Sequence, residues 1–174
     1  MIVAVVGPSG AGKDTLIAGA LAAAPGLRLV RRVITRPADA GGEDFDGVTE
    51  VEFAARKARG EFALDWGAHG LRYGIPHAQV TAPGTVIFNG SRAALPQAQA
   101  RFPGLRVVLV TAPDAVLAAR LAARGRETAE DIRARLARAA FTLPDGIAAV
   151  TVVNDGTPEQ GVARFLAALQ PVRA

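Results

Sequence analysis

The chain has 174 residues, half of them hydrophobic, enough for one compact domain with a real core. It has no cysteine, which excludes disulfides, thiolate catalysis and cysteine-based zinc sites. The net charge is +4, but the 20 basic residues are scattered, only Lys13 and Lys57 are lysines, and aromatics make up 5%; this suits small anionic substrates better than nucleic acid.

Taken in order, residues 2–6 are a short β-branched apolar run that reads as a buried strand, and residues 16–22 read as a helix. Between them lies Gly7-Pro8-Ser9-Gly10-Ala11-Gly12-Lys13-Asp14-Thr15. After a turn at Pro25-Gly26, residues 27–34 alternate and read as a second strand, followed by a polar loop over 38–47 that looks suited to contact a ligand. Thr49 with Glu52 three residues on predicts a capping box for a helix that Gly60 ends. Residues 62–66 and 71–76 read as short strands around a turn, with a weak helix over 77–80. Then come a core strand at 85–89, a helix at 91–101, a strand at 105–110 and a helix at 113–124. A second capping box, Thr128 with Asp131, predicts a helix to about 141, before a strand at 149–153 and a closing helix at 157–169.

Strands alternating with helices predict an α/β fold, a parallel sheet flanked by helices. The stretch 36–80 breaks the alternation and reads as an insertion that binds a second substrate, within a single domain whose core is 1–35 and 81–174. No apolar run reaches spanning length and no charged segment precedes the first one, so a cytoplasmic protein without a membrane segment is expected.

The stretch from Gly7 to Thr15 carries the chemistry. Strand, GxxxxGK and helix in succession form the context in which a glycine loop wraps a polyphosphate. Backbone N–H groups and the helix N-terminus supply partial positive charge, and Lys13 reaches the outer phosphates. Asp14 departs from the usual Ser or Thr, whose hydroxyl ligates Mg²⁺. Either Asp14 supplies an anionic oxygen to that metal, or Thr15 does and Asp14 only stabilises the helix N-terminus. Asn89 stands at a strand end where an acid is expected, which favours Asp14 as the metal ligand.

The order of GPSGAGKDT, Thr35-Arg36-Pro37, Gly42-Glu43, Asp65-Trp66, Tyr73-Gly74, Arg120 to Gly125, Arg135-Leu136 and Asn154-Asp155 resembles that of guanylate kinases over nearly the whole chain. GKD in place of GKS, a shortened segment after Glu43, Asp65 in place of a glutamate and Asn89-Gly90-Ser91-Arg92 are departures. Together they resemble the ribose 1,5-bisphosphate phosphokinases, which phosphorylate the 1-phosphate of ribose 1,5-bisphosphate with ATP and Mg²⁺ in phosphonate breakdown. The product is 5-phospho-α-D-ribosyl 1-diphosphate (PRPP). The resemblance implies a P-loop kinase fold and an arginine-rich lid over about 120–138, with Arg124 and Arg135 as catalytic arginines beside Lys13. Arg36, Asp65, Arg72, Tyr73 and Arg92 are its candidate substrate contacts. Arg72 and Tyr73 read equally as contacts for phosphate or ribose, and Asp65 either accepts from ribose hydroxyls or pairs with a nearby arginine.

Overall fold

A computed structural model describes residues 1–39, 43–81, 83–123, 128, 130, 132, 136 and 142–170. Most of the helix expected over 128–141 and most of the expected lid lie outside the described residues; Ile132 N does donate to Thr128 O at 3.0 Å. Contacts divide the chain into two units: Met1–Ala4 with Pro25–Arg106, and Val5–Ala24 with Val107–Ala174. The first unit therefore takes in all of 36–80 and more.

Five strands, β1 (Ile2–Val6), β2 (Leu27–Leu29), β7 (Thr85–Asn89), β8 (Arg106–Thr111) and β9 (Val150–Val153), form a parallel sheet in the order β2-β7-β1-β8-β9. Val3, Ala4, Val5 and Val6 are all fully buried. Such an unbroken apolar run belongs to a strand covered on both faces, as a sheet flanked by helices requires.

In the second unit, α1 (Lys13–Ala23) buries Leu16, Ile17 and Ala20. The last described helix, α6 (Pro158–Leu169), starts at a reciprocal capping box in which Thr157 Oγ1 accepts from Gln160 N and Gln160 Oε1 accepts from Thr157 N. The expected helix at 113–124 is α5 (Asp114–Ala123), with Pro113 just before it.

In the first unit, α2 (Glu50–Ala58) begins where predicted: Thr49 Oγ1 accepts from Glu52 N at 3.1 Å. The Glu52 carboxylate lies on Arg56, which also pairs with Asp46. These two carboxylates raise the pKa of the Arg56 guanidinium further, Asp46 contributing most.

The single strand expected over 27–34 is two strands. Val30 N donates to Ile87 O, the last such bond described there, and the chain then leaves β7. At the exit Arg31 N donates to Gln79 Oε1 at 2.7 Å and Gln79 Nε2 donates to Arg31 O at 2.9 Å. One side-chain amide thus replaces a neighbouring strand and leaves no backbone group of Arg31 unmet. The freed segment becomes β3 (Arg32–Ile34) of a second sheet, with β4 (Phe45–Gly47), β5 (Phe62–Ala68) and β6 (Leu71–Pro76), in the order β4-β3-β6-β5. β4 falls inside the segment read as loop. β5 and β6 join through His69 and Gly70 at φ 53° and 74°, the left-handed pair of a two-residue hairpin. The remaining described helices are α3 (His77–Val80) and α4 (Leu95–Arg101), the latter preceded by a 3₁₀ turn over Arg92–Ala94. Among the described residues no helix is long and apolar enough to cross a membrane.

Candidate active site

The second unit holds the glycine loop. Gly7, Gly10 and Gly12 have φ of 155°, 86° and 87°. A Cβ on Gly7 would fall 2.0 Å from the Val110 carbonyl oxygen, and one on Gly12 would fall 2.5 Å from Asn154 Nδ2. Only glycine admits this path, because the loop runs against backbone on one side and a buried amide on the other. Pro8 and Ala11 are buried, whereas Ser9, Asp14 and Thr15 are exposed.

The loop carbonyls are committed inside the protein. Lys13 Nζ donates to Gly7 O at 2.8 Å and to Pro8 O at 3.1 Å. Asn154 Nδ2 donates to Ala11 O at 2.8 Å, and Arg120 Nη1 lies 3.4 Å from the same oxygen. Asn154 is itself fixed by its backbone, whose N–H donates to Thr111 O at 2.7 Å, and is only 5% exposed. With the oxygen side of these peptides engaged, the loop suits a concave run of amide donors for an anion. Asp14 is an exposed carboxylate in the first turn of α1. Mg²⁺ takes one or two such carboxylates together with substrate phosphates, which this position fits. Next along the chain, Arg164 Nη1 hydrogen-bonds Asp155 at 2.6 Å and holds that carboxyl below the usual carboxylate range.

The first unit holds the residues expected for the acceptor, and the sheet sorts them onto two faces. Val33, Asp65, Arg72 and Gly74 share one face by strand alternation and register. That face is covered by α2. Phe53 packs with Val33, Val48 and Phe62, the Arg72 guanidinium lies 5.7 Å from the Phe53 ring, and Asp65 pairs with Lys57 at 2.7 Å. Asp65 thus does pair with a cation, but with a lysine of α2 rather than an arginine.

Arg32, Trp66 and Tyr73 occupy the opposite face. Trp66 and Tyr73 are a directly opposed pair, stacked with ring centroids 5.4 Å apart. Asp65 and Arg72 are therefore not brought together with Tyr73. Arg36 follows β3, half-buried, its guanidinium 4.2 Å from the centre of the Phe45 ring. Arg92 opens the 3₁₀ turn three residues after β7 ends. Arg124 and Arg135 lie outside the described residues.

Two residues were not singled out in the sequence for what they do here. Asn154 braces the glycine loop; its signal is a polar amide directly after a β-branched strand. Arg32 is the other buried polar side chain among the described residues, flanked by Val33 and Ile34, which are buried too.

A parallel sheet whose first strand feeds a glycine loop, a lysine and a helix defines a P-loop fold, the one that P-loop kinases share. Guanylate kinase from Anaplasma phagocytophilum superposes with a TM-score of 0.63 over 96% of this chain and 82% of that one, at 16% identity. A gluconokinase from Sinorhizobium meliloti does so with a TM-score of 0.52 over 96% and 90%, at 19% identity. These likenesses show the fold. No family model matches the chain. Among curated proteins, ribose 1,5-bisphosphate phosphokinase PhnN from Ruegeria sp. is 51% identical over 178 residues, covering 99% of this chain and 93% of the relative. The protein of that name from Agrobacterium fabrum is 45% identical over 97% of this chain and 96% of its own. The bifunctional ribose 1,5-bisphosphokinase-thymidine phosphorylase of Cupriavidus necator is 51% identical over 95% of this chain, which spans 28% of that relative's length. The chain belongs to the ribose 1,5-bisphosphate phosphokinase family.

Proposed function

We propose that this chain transfers the γ-phosphoryl group of ATP to the 1-phosphate of ribose 1,5-bisphosphate, giving PRPP and ADP. The relationship to kinases of that name over nearly the whole chain carries the reading. An oxygen of the 1-phosphate attacks the γ-phosphorus, and the bond from that phosphorus to the β,γ-bridging oxygen breaks. The attacking oxygen is already ionised at neutral pH, so no general base is required. Catalysis reduces to positioning and to neutralising charge around a loose transition state.

Lys13 and the loop from Gly7 to Thr15 take the ATP phosphates. Arg36, Tyr73 and Arg92 are assigned first to the acceptor. Asp65 and Arg72 come second, since α2 covers the face of the sheet that carries them. Arg124 and Arg135 are assigned to the transferring group, where fork-shaped guanidiniums match phosphate oxygens. Bound Mg²⁺ would neutralise the β- and γ-phosphates, held by Asp14 or Thr15. A cytoplasmic location fits an ATP-using enzyme without cysteine.

The deciding assay is ADP release with ATP and Mg²⁺ in the presence of ribose 1,5-bisphosphate, run beside GMP. Turnover and PRPP formation with the bisphosphate alone support the reading; turnover with GMP alone overturns it. For the metal, Asp14→Ser is expected to raise the Mg²⁺ concentration needed for half-maximal rate about tenfold, the loss of one anionic ligand. An unchanged Mg²⁺ dependence at near-normal rate would transfer the role to Thr15.

A further inference from the structure

Arg32 has few apparent reasons to be charged. Ile34, Leu64, Trp66 and Ile75 share its face of the sheet and are all buried. Its own side chain is 8% exposed. Burying an ion pair adds little stability over an apolar side chain of similar volume, because both charges must be stripped of water. Stability alone therefore does not account for an arginine here.

Its contacts reach three parts of the first unit. Nε donates to Glu43 Oε2 at 3.1 Å and Nη2 donates to Glu43 Oε1, a bidentate pair. Nη1 donates to Asn89 O at 2.7 Å, at the end of β7. The guanidinium carbon lies 5.0 Å from the Tyr73 ring centre and 5.9 Å from that of Trp66. One planar group thus joins Glu43, the C-terminal end of a core strand and the Tyr73 ring. In open α/β sheets ligands bind at such strand ends. A second observation marks the same face as unfinished. The Trp66 indole N–H is buried and has no hydrogen-bond acceptor among the described residues, on a side chain only 7% exposed. Native interiors rarely leave such a donor unmet.

We infer that Arg32, held by Glu43, is a positioning residue for the acceptor: it sets the Tyr73 ring and the Glu43 carboxylate at the C-terminal end of β7, where the sugar phosphate is received. The inference rests on the acceptor role proposed above for the first unit. A lysine cannot reproduce the function, since it lacks both the bidentate fork and the flat face that lies against the rings.

The test compares wild type, Arg32→Lys and Glu43→Gln in steady-state assays with ribose 1,5-bisphosphate and ATP varied separately. Emission of Trp66, the one tryptophan, reports the ring environment. Both variants are expected to raise the KM for the bisphosphate at least tenfold, to leave the KM for ATP within twofold and to shift the Trp66 emission. A wild type that does not turn over the bisphosphate overturns the functional reading and this inference with it. A wild type that does, with acceptor KM within twofold in the folded variants, overturns the inference alone. So does an equal rise in both KM values. If Arg32→Lys does not fold, the isosteric Glu43→Gln decides by the same thresholds; failure of both to fold assigns the pair to the core and overturns the inference.

Discussion

Lys13→Met is expected to lower the turnover rate about 10³-fold while the protein stays folded, the scale seen when one charge-neutralising group is removed from a phosphoryl transferase. The expectation comes from place and chemistry together. Lys13 is the first residue of α1, and its ammonium bridges the Gly7 and Pro8 carbonyls across the glycine loop. A compact ammonium there is a point charge that follows the outer phosphates as charge moves to the leaving oxygen. Methionine keeps the unbranched stem and removes only the charge. The two carbonyls lose a donor at a half-buried position that water reaches, so the melting temperature should fall by no more than a few degrees. Lys13→Arg should not rescue the rate, because a rigid fork does not place charge as a flexible ammonium does. ADP release measured beside thermal unfolding checks both halves. A rate within tenfold of wild type would remove Lys13 from the chemistry.

The largest effect on stability is expected at Gly7. Gly7→Ala puts a methyl carbon 2.0 Å from the Val110 carbonyl oxygen and 3.0 Å from its carbon. Both are backbone atoms, so no rotamer relieves the overlap. Val110 is itself fully buried and in register with Val152 on β9, which resists any shift of β8. Steric overlap and the unfavourable backbone conformation together should cost about 3 kcal/mol or more. Gly26→Ala is the control: nothing lies within 4 Å of its Cβ position. There the reduced freedom of the unfolded chain should leave stability unchanged or raised by about 0.4–1 kcal/mol. Urea midpoints of the two variants should therefore move unequally; similar midpoints would mean that the loop yields easily and does not hold its shape against β8.

Much of the glycine loop was legible because its signal is local. Gly7 to Thr15 lie consecutively between one strand and one helix, and the positive φ angles there demand the glycines that the sequence displays. The cap at Thr49 depends on residues three apart and was equally open to reading; the one at Thr157 has the same local form but was first seen in the structure. Residues 27–34 were not, because alternation is the same whether a run stays in one sheet or crosses to another. The crossing at Arg31 is made possible by Gln79, 48 residues away, and no local pattern announces such a partner. Asp65, Arg72 and Tyr73 look alike as polar residues on two short strands. Only the register of β5, β6 and β3 separates them onto two faces, with α2 over one of them.

By itself the sequence determined the class of fold, the glycine loop with Lys13 and the resemblance to sugar-bisphosphate kinases, because each depends on residue type and order along a short stretch. The tertiary structure alone decided that Arg32 joins Glu43, Asn89 and Tyr73, that Asn154 braces the loop through Ala11, and which face of the small sheet carries the stacked rings. Those are contacts between distant segments, and their energies come from burial and geometry that exist only once the chain has closed on itself.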